Sequence, residues 1–337
     1  MQHQYIDRLS GAVRDERLYG DRLVNLIYSR VRENAPRLFR ALTSMRISEL
    51  LGRVNYDLPL GSRLSGSLRF LERLGVDLGE CLDPLEALNT ARKVFERRIR
   101  YWECRPIPQE PRIVVSPADA KVLVGSLDER WALRLKDKFF TYEELLGRDK
   151  HEWLHALQGG DFAIFRLTPE KYHYNHTPVA GRVVDFYAID GEFHSCNPGA
   201  VVAVATPYSK NRRYVTIIDT DVEDGTGIGL VAMIEIVALM IGEVVQAYSE
   251  LCYDAPQPVR PGMFLRRGAP KSLYRPGSST DVLLFQRGRI DFDADIVANM
   301  RRQGVASRFT RGFGVPLVET DLAVRSSIGR ASDRHDS

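Results

Sequence analysis

Apolar and polar positions follow two different rhythms along this chain. Over residues 21–34 (DRLVNLIYSRVREN), Leu23, Leu26, Ile27 and Val31 recur at helical spacing. Asp21 precedes them as an N-cap residue type, and Pro36 stops the run. Residues 37–51 repeat the pattern with Leu38, Leu42, Met45 and Leu50. A third run, 84–101, has Pro84 early and places Leu85, Leu88, Val94, Phe95 and Ile99 inward. These stripes predict a mostly helical N-terminal third over residues 1–105. Their apolar faces can pack on the rest of the protein or rest on a membrane surface.

The rhythm changes at Arg105-Pro106-Ile107-Pro108. Beyond it come short β-rich runs broken by turn residues: Ile113–Val115, Lys121–Val124, Phe162–Leu167, Arg182–Ile189, Ala200–Ala205, Tyr214–Ile218 and Val282–Phe285. The predicted class is therefore α+β, with a β-rich domain over 106–330. After Ser327 the chain turns polar and is expected to fray, with 331–337 as a tail. No internal repeat is visible.

Gly227–Val245 is 19 residues long and nearly apolar, close to the length of a membrane span. Glu235 in its middle and Glu243 near its end argue against a bilayer, where an unpaired carboxylate is costly. Two buried strands, or a strand with a helix, fit better. Gly225, Gly227 and Gly229 lack dinucleotide-loop spacing and follow four acidic residues, so they read as turn residues.

Composition narrows the class. The 337 residues are 44% hydrophobic and 27% charged, which excludes disorder, collagen-like repetition and a disulfide-stapled miniature. A net charge of +3 is no electrostatic footprint for nucleic acid. Residues 1–105 carry 19 Lys+Arg against 14 Asp+Glu, a mildly basic balance suited to a solvated helix face or an anionic surface. Cys81, Cys104, Cys196 and Cys252 are scattered and fit a reducing compartment. The first twenty residues lack an apolar h-region, so no signal peptide is expected.

Three segments carry candidate chemistry: Ser116-Pro117-Ala118-Asp119, the stretch Phe165–Pro178 with His173 and His176, and Gly277-Ser278-Ser279-Thr280. Each alone is weak, since Ser-Pro-Asp and Gly-Ser usually make turns and loop histidines are usually structural. Together they supply a carboxylate, an imidazole and a hydroxyl, the division of labour in which a carboxylate orients the base that takes the hydroxyl proton. The His-x-x-His spacing also permits metal binding, but no third ligand pattern accompanies it and no metal is expected.

These segments resemble the phosphatidylserine decarboxylase family, whose pattern reads SPADG, RLxPxDYHRxHxP and KGxExGxFxxGGST before an apolar strand. Ser116–Asp119 match, with Ala120 replacing Gly. Arg166, Leu167, Pro169, Tyr172, His173, His176 and Pro178 match the second motif. Arg267 to Thr280 align with the third without gaps. The flanks agree at Phe95-Glu96-Arg97, Arg105-Pro106-Ile107, Asn197-Pro198 and Asn211-Arg212-Arg213. Pro270, Ser272 and Glu170-Lys171 depart from the pattern, as does Ser278, which replaces the usual Gly.

The resemblance implies a zymogen that cuts its own chain and converts the exposed serine into a pyruvoyl group, the covalent cofactor. By alignment the serine is Ser279, cleavage falls at Ser278-Ser279, and the products are 1–278 and 279–337. Cleavage at Gly277-Ser278 is the alternative frame. Asp119, His176 and Ser279 match the self-cleavage triad, and His173 the histidine beside the pyruvoyl group. The resemblance further implies a phospholipid substrate, peripheral attachment to the cytoplasmic side of a membrane, and a homodimer. Three functions follow: decarboxylation of phosphatidylserine to phosphatidylethanolamine, decarboxylation of a free amino acid or another serine-headed lipid, or an unprocessed, non-catalytic relative.

Overall fold

A computed structural model describes residues 2–18, 76–127, 139–203, 207–238, 243–277 and 279–333. Its strands are β1 (Gln4–Asp7), β2 (Val13–Asp15), β3 (Ile113–Val115), β4 (Ala120–Ser126), β5 (Asp161–Leu167), β6 (Tyr174–His176), β7 (Gly181–Ile189) and β8 (Arg213–Asp219). They continue with β9 (Leu230–Val237), β10 (Val244–Gln246), β11 (Phe264–Leu265), β12 (Pro270–Tyr274), β13 (Ser279–Phe285), β14 (Ile290–Phe292), β15 (Thr320–Leu322) and β16 (Ser327–Ala331).

Ten of them form one sheet in the order β11-β7-β8-β9-β13-β5-β4-β15-β1-β2. Neighbours are antiparallel except β1 and β15. Two three-stranded sheets, β10-β12-β6 and β14-β16-β3, accompany it. Strand β13 lies inside the large sheet and is buried at every position. Its continuous run STDVLLF suits a strand covered on both faces, where no polar alternation is needed. All seven residues pair with β9 on one side and β5 on the other.

The apolar stretch 227–245 resolves into strands β9 and β10. Gly227 and Gly229 take φ of +72° and +77° in the turn that leads into β9. The run Ala200–Ala205 does not form the expected strand. A helix spans Pro198–Ala203 instead. Asn197 starts it: its Oδ1 accepts from Gly199 N at 2.8 Å and its carbonyl from Val201 N at 3.0 Å. Pro198 at the first helical position has no amide to satisfy there.

The helical N-terminal third is not what the described residues show. Residues 21–34 and 37–51 lie outside them. Residues 4–15 form the hairpin β1–β2 at the end of the large sheet. Its turn is built by Asp7, whose carboxylate accepts from Ser10 N and Oγ, and by Gly11 at φ +67°. The run 84–101 breaks into a short 3-10 turn at Leu85–Ala87 and helices at Ala91–Phe95 and Tyr101–Cys104. Thr90 Oγ1 caps the first helix at Lys93 N, and Asp83 captures Arg98 N at 2.9 Å, so one helix cannot run through. Leu88, Val94, Phe95 and Ile99 are nevertheless buried, as their pattern requires. The chain after Ser327 does not fray at once. It forms β16, paired with β3 and β14 and burying Ile328.

Candidate active site

The turn before β4 aims Asp119 inward. Ser116 Oγ bonds Ala118 O at 2.7 Å, while Ser116 N and O bond Ser326 O and Arg325 N. Asp119 Oδ1 accepts from Val324 N at 2.7 Å and Arg105 Nε at 3.0 Å, and Oδ2 from Arg105 Nη2 at 2.9 Å. Burial alone would raise this carboxyl, but the bidentate guanidinium outweighs it and keeps Asp119 below the usual range. Arg105 also bonds both oxygens of Glu80.

His176 ends β6, and its backbone N–H bonds Pro117 O at 2.7 Å, which seats the strand beside the Asp119 turn. Its Nδ1 faces Gly268 O at 2.8 Å. A carbonyl only accepts, so Nδ1 carries the proton and Nε2 is the acceptor. Tyr172 hydroxyl fills that acceptor at 3.0 Å and meets Tyr253 hydroxyl at 2.8 Å. Burial lowers the His176 pKa to about 3, so the ring is neutral at pH 7.

His173 precedes the same strand. Its Nδ1 donates to Lys171 O at 2.8 Å, and the Phe95 ring stacks on it with centroids 3.5 Å apart. Burial first, and Arg97 second, hold its pKa well below the ordinary value. The bare Nε2 is buried and has no partner. Among the named site residues this imidazole is the base with a free lone pair.

Ser279 opens β13, and its buried Oγ also lacks a partner. Gly277, two residues earlier, takes φ +153°, a conformation that side chains rarely adopt. Ser278 lies outside the described residues. Tyr274 connects the serine to the first histidine: its N–H bonds His173 O at 3.1 Å and its hydroxyl bonds Thr280 O at 2.9 Å. The two orphaned groups, His173 Nε2 and Ser279 Oγ, thus lie on segments clasped by one tyrosine. Asp119 and His176 are brought side by side across Pro117, with no hydrogen bond between them. Neither bonds Ser279 Oγ.

Sequence reasoning passed over Tyr253, Tyr274 and the partner roles of Arg105 and Tyr172. Tyr172 and Arg105 fall inside matched motifs, which was the available signal. Tyr274 lies within the third motif, Arg267–Thr280, at its aromatic position, whereas Tyr253 had no such signal. Glu235, paired across the ladder with Asp281 two residues along β13 from Ser279, centres another buried polar group: Lys271 Nζ lies 2.6 Å from Glu235 Oε2, and Ser272 Oγ and Asn175 Nδ2 bond Glu235 Oε1. A bulge in β12 between Pro270 and Ser272 lets consecutive side chains reach the same carboxylate.

A sequence profile described as phosphatidylserine decarboxylase matches residues 91–309. Phosphatidylserine decarboxylase proenzyme 2 of Oryza sativa subsp. japonica is 33% identical over 231 residues, which is 67% of this chain but 34% of that protein. The chain thus spans about a third of the rice relative. A phosphatidylserine decarboxylase proenzyme of Chlamydia trachomatis serovar L2 is 31% identical over 311 residues, covering 91% of this chain and 95% of its own. One from Fusobacterium nucleatum is 26% identical over 301 residues, 89% and 93% of the two chains. With motifs, profile and near full-length relatives in agreement, this chain belongs to the phosphatidylserine decarboxylase family.

Proposed function

We propose that this protein is a self-processing, pyruvoyl-dependent decarboxylase of phosphatidylserine. The observation that carries the reading is Ser279: a buried, unpartnered hydroxyl at the head of an interior strand, in the position the family motif requires. A chain break before Ser279 leaves both products in place, because β13 stays paired along its length with β9 and β5.

The residues fit the pyruvoyl group. Ser279 provides its carbon skeleton in a water-poor setting, with a neutral imidazole on the neighbouring segment. Once formed, the group supplies a carbonyl that takes up the substrate amine and draws off the electrons released as CO₂ leaves. Asp119 and His176 are assigned to processing, with Ser279 as nucleophile. With Nδ1 spent on Gly268, His176 reaches the serine only by releasing Tyr172 or by acting through it. His173, held flat by Phe95, is assigned to binding and proton transfer at Nε2 during turnover.

A lipid substrate at a membrane surface is favoured by the rim of the site. Leu251, Trp102 and Leu82 are exposed at 66%, 42% and 37%. Trp102 lies edge-on to Tyr253, whose hydroxyl meets Tyr172, and Arg98 lies over the Tyr253 ring. Aromatic, aliphatic and cationic side chains together suit an anionic lipid interface. No helix among the described residues is long and apolar enough to cross a membrane.

The test is a denaturing intact-mass spectrum followed by assays on phosphatidylserine vesicles and on free serine. Masses for 1–278 and a pyruvoyl-ended 279–337, with CO₂ release from vesicles only, are expected. A chain that stays whole after incubation with vesicles sinks the reading. Release from free serine moves the substrate class to amino acids.

A further inference from the structure

Two arginines near the reactive segments differ in what balances them. Arg105 is paired with Glu80 and with Asp119. Arg97 is 5% exposed and forms no ion pair among the described residues. Its Nη1 donates to Val94 O at 3.1 Å and its Nη2 to Glu170 O at 2.8 Å. Nε is buried and has no partner. A guanidinium carries five N–H bonds and stays charged at neutral pH. Two carbonyls use two of the five, and they leave the charge itself unmatched. Burying such a cation costs stability unless an anion meets it. Other buried arginines are better served. Arg166 is held by Glu16 and Glu319, and Arg213 spends Nε, Nη1 and Nη2 on the carbonyls of Leu145, Asn211 and Glu144.

Arg97 belongs to the wall of the site. Phe95, two residues before it, is stacked on the His173 ring. Glu170 O, which Arg97 bonds, precedes Lys171 O, which holds His173 Nδ1. The guanidinium charge is felt at His173, where it joins burial in keeping the imidazole neutral. A buried donor, Arg97 Nε, and a buried acceptor, His173 Nε2, thus stand open on joined segments without bonding each other.

We propose that Arg97 is the binding residue for the phosphodiester of the substrate. This deepens the pyruvoyl-decarboxylase reading above and rests on it. The substrate brings two anions into the site, its phosphodiester and the carboxylate that is lost. A fixed cation against the carboxylate opposes reaction, because that charge disappears as CO₂ forms. The phosphodiester keeps its charge throughout, so a guanidinium there holds the headgroup at every stage. The planar fork of donors also suits phosphate oxygens. The same pairing separates a serine phospholipid from free serine, which has no phosphodiester to offer.

The test uses three soluble amines on the processed protein, each trapped by cyanoborohydride on the 279–337 chain and read by intact mass. Ethanolamine carries neither anion, serine only a carboxylate, and glycerophosphoethanolamine only a phosphodiester. The parent should be half-trapped by glycerophosphoethanolamine at a concentration at least about 10-fold below that for ethanolamine. Arg97→Gln, which still donates to a carbonyl, should erase that preference. Arg97→Lys, which keeps the charge but not the fork, should retain part of it. An arginine that only holds the fold predicts a uniform loss across the three amines, so a uniform loss overturns the proposal. A parent that traps ethanolamine and glycerophosphoethanolamine alike overturns it without any variant. A loss confined to serine assigns Arg97 to the carboxylate and overturns it too. Where Arg97→Gln fails to mature, Arg97→Lys and the parent preference decide. All of these outcomes leave the decarboxylase reading intact, whereas a parent that traps no amine removes that reading.

Discussion

Two buried polar clusters flank strand β5, and they are built to opposite rules. Near the N-terminus, Arg166 bonds both oxygens of Glu16 and both of Glu319. His3 Nε2 bonds Glu319 at 2.9 Å, and its Nδ1 accepts from Arg308 N. Lys121 bonds Thr168 and lies over the Tyr5 ring. His3, Glu16 and Glu319 bring ligand atoms within 4.8 Å of one another, as a cation site would, but Arg166 already supplies the positive charge. No side-chain nitrogen or oxygen of Arg166, Glu16, Glu319, His3 or Lys121 is orphaned. Around Ser279 the reverse holds: Ser279 Oγ, His173 Nε2, Asp281 Oδ2 and Asn175 Oδ1 are all buried and unpaired. A satisfied cluster clamps the hairpin to the sheet. An unsatisfied one keeps valences open for chemistry, at a cost in stability that the surrounding ladders offset.

Breaking each cluster should therefore give different losses. The largest effect belongs to Ser279→Ala, which should leave one uncut chain with no decarboxylation; normal processing on a denaturing gel would discard the nucleophile. Next, the two histidines should separate. His173→Ala should lower turnover by about 10²–10⁴-fold while cutting proceeds. His176→Ala and Asp119→Asn should slow or stop cutting itself, and unchanged rates of maturation in either would remove it from the processing machinery.

In the clamp, Arg166→Met should act on stability instead. It strands two buried carboxylates at a cost of about 3–5 kcal/mol, read by urea denaturation. Molecules that do fold should still process, and a specific loss of cutting at unchanged stability would blur the contrast.

The smallest effects are those of acid. Burial raises Glu16, but Arg166 and Lys121 more than reverse this and bring it to about 2 from 4.5. A lowered carboxyl stabilises the fold above its unfolded value, so the clamp's contribution should fade as pH drops from 4.5 toward 2. His176, lowered from 6.5 to about 3, binds its proton more readily when unfolded. Its contribution should decline from pH 6.5 downward, earlier than that of the clamp. Thermal melts of the parent and Glu16→Gln across this range would resolve the two steps.

Much of this was legible locally. Six of the strands, β3, β4, β5, β7, β8 and β13, follow from short β-branched runs bounded by turn residues, and Glu235 rightly argued against a membrane span because Lys271 waits for it in the folded chain. Ala200–Ala205 misled because its valines suit a strand, whereas the Asn197-Pro198 start and its capping bonds decide for a helix. The hairpin β1–β2 was missed because its short strands have almost no periodicity of their own. Its place depends on β15 and on a salt-bridge partner 150 residues away.

The order and identity of the reactive side chains belong to the sequence, since hydroxyl, imidazole and carboxylate chemistry depends on residue type and the motifs place those types in line. Which valences stay open was decided only by the tertiary structure. His173 and His176 are three residues apart with the same side chain, yet one Nε2 meets a tyrosine and the other meets nothing. Asp119 and Asp281 are both buried, yet Arg105 ionises the first, while the second, facing Glu235 without a cation of its own, keeps its proton. Partners brought from distant strands set each group's charge and free lone pairs, and no spacing along the chain encodes them.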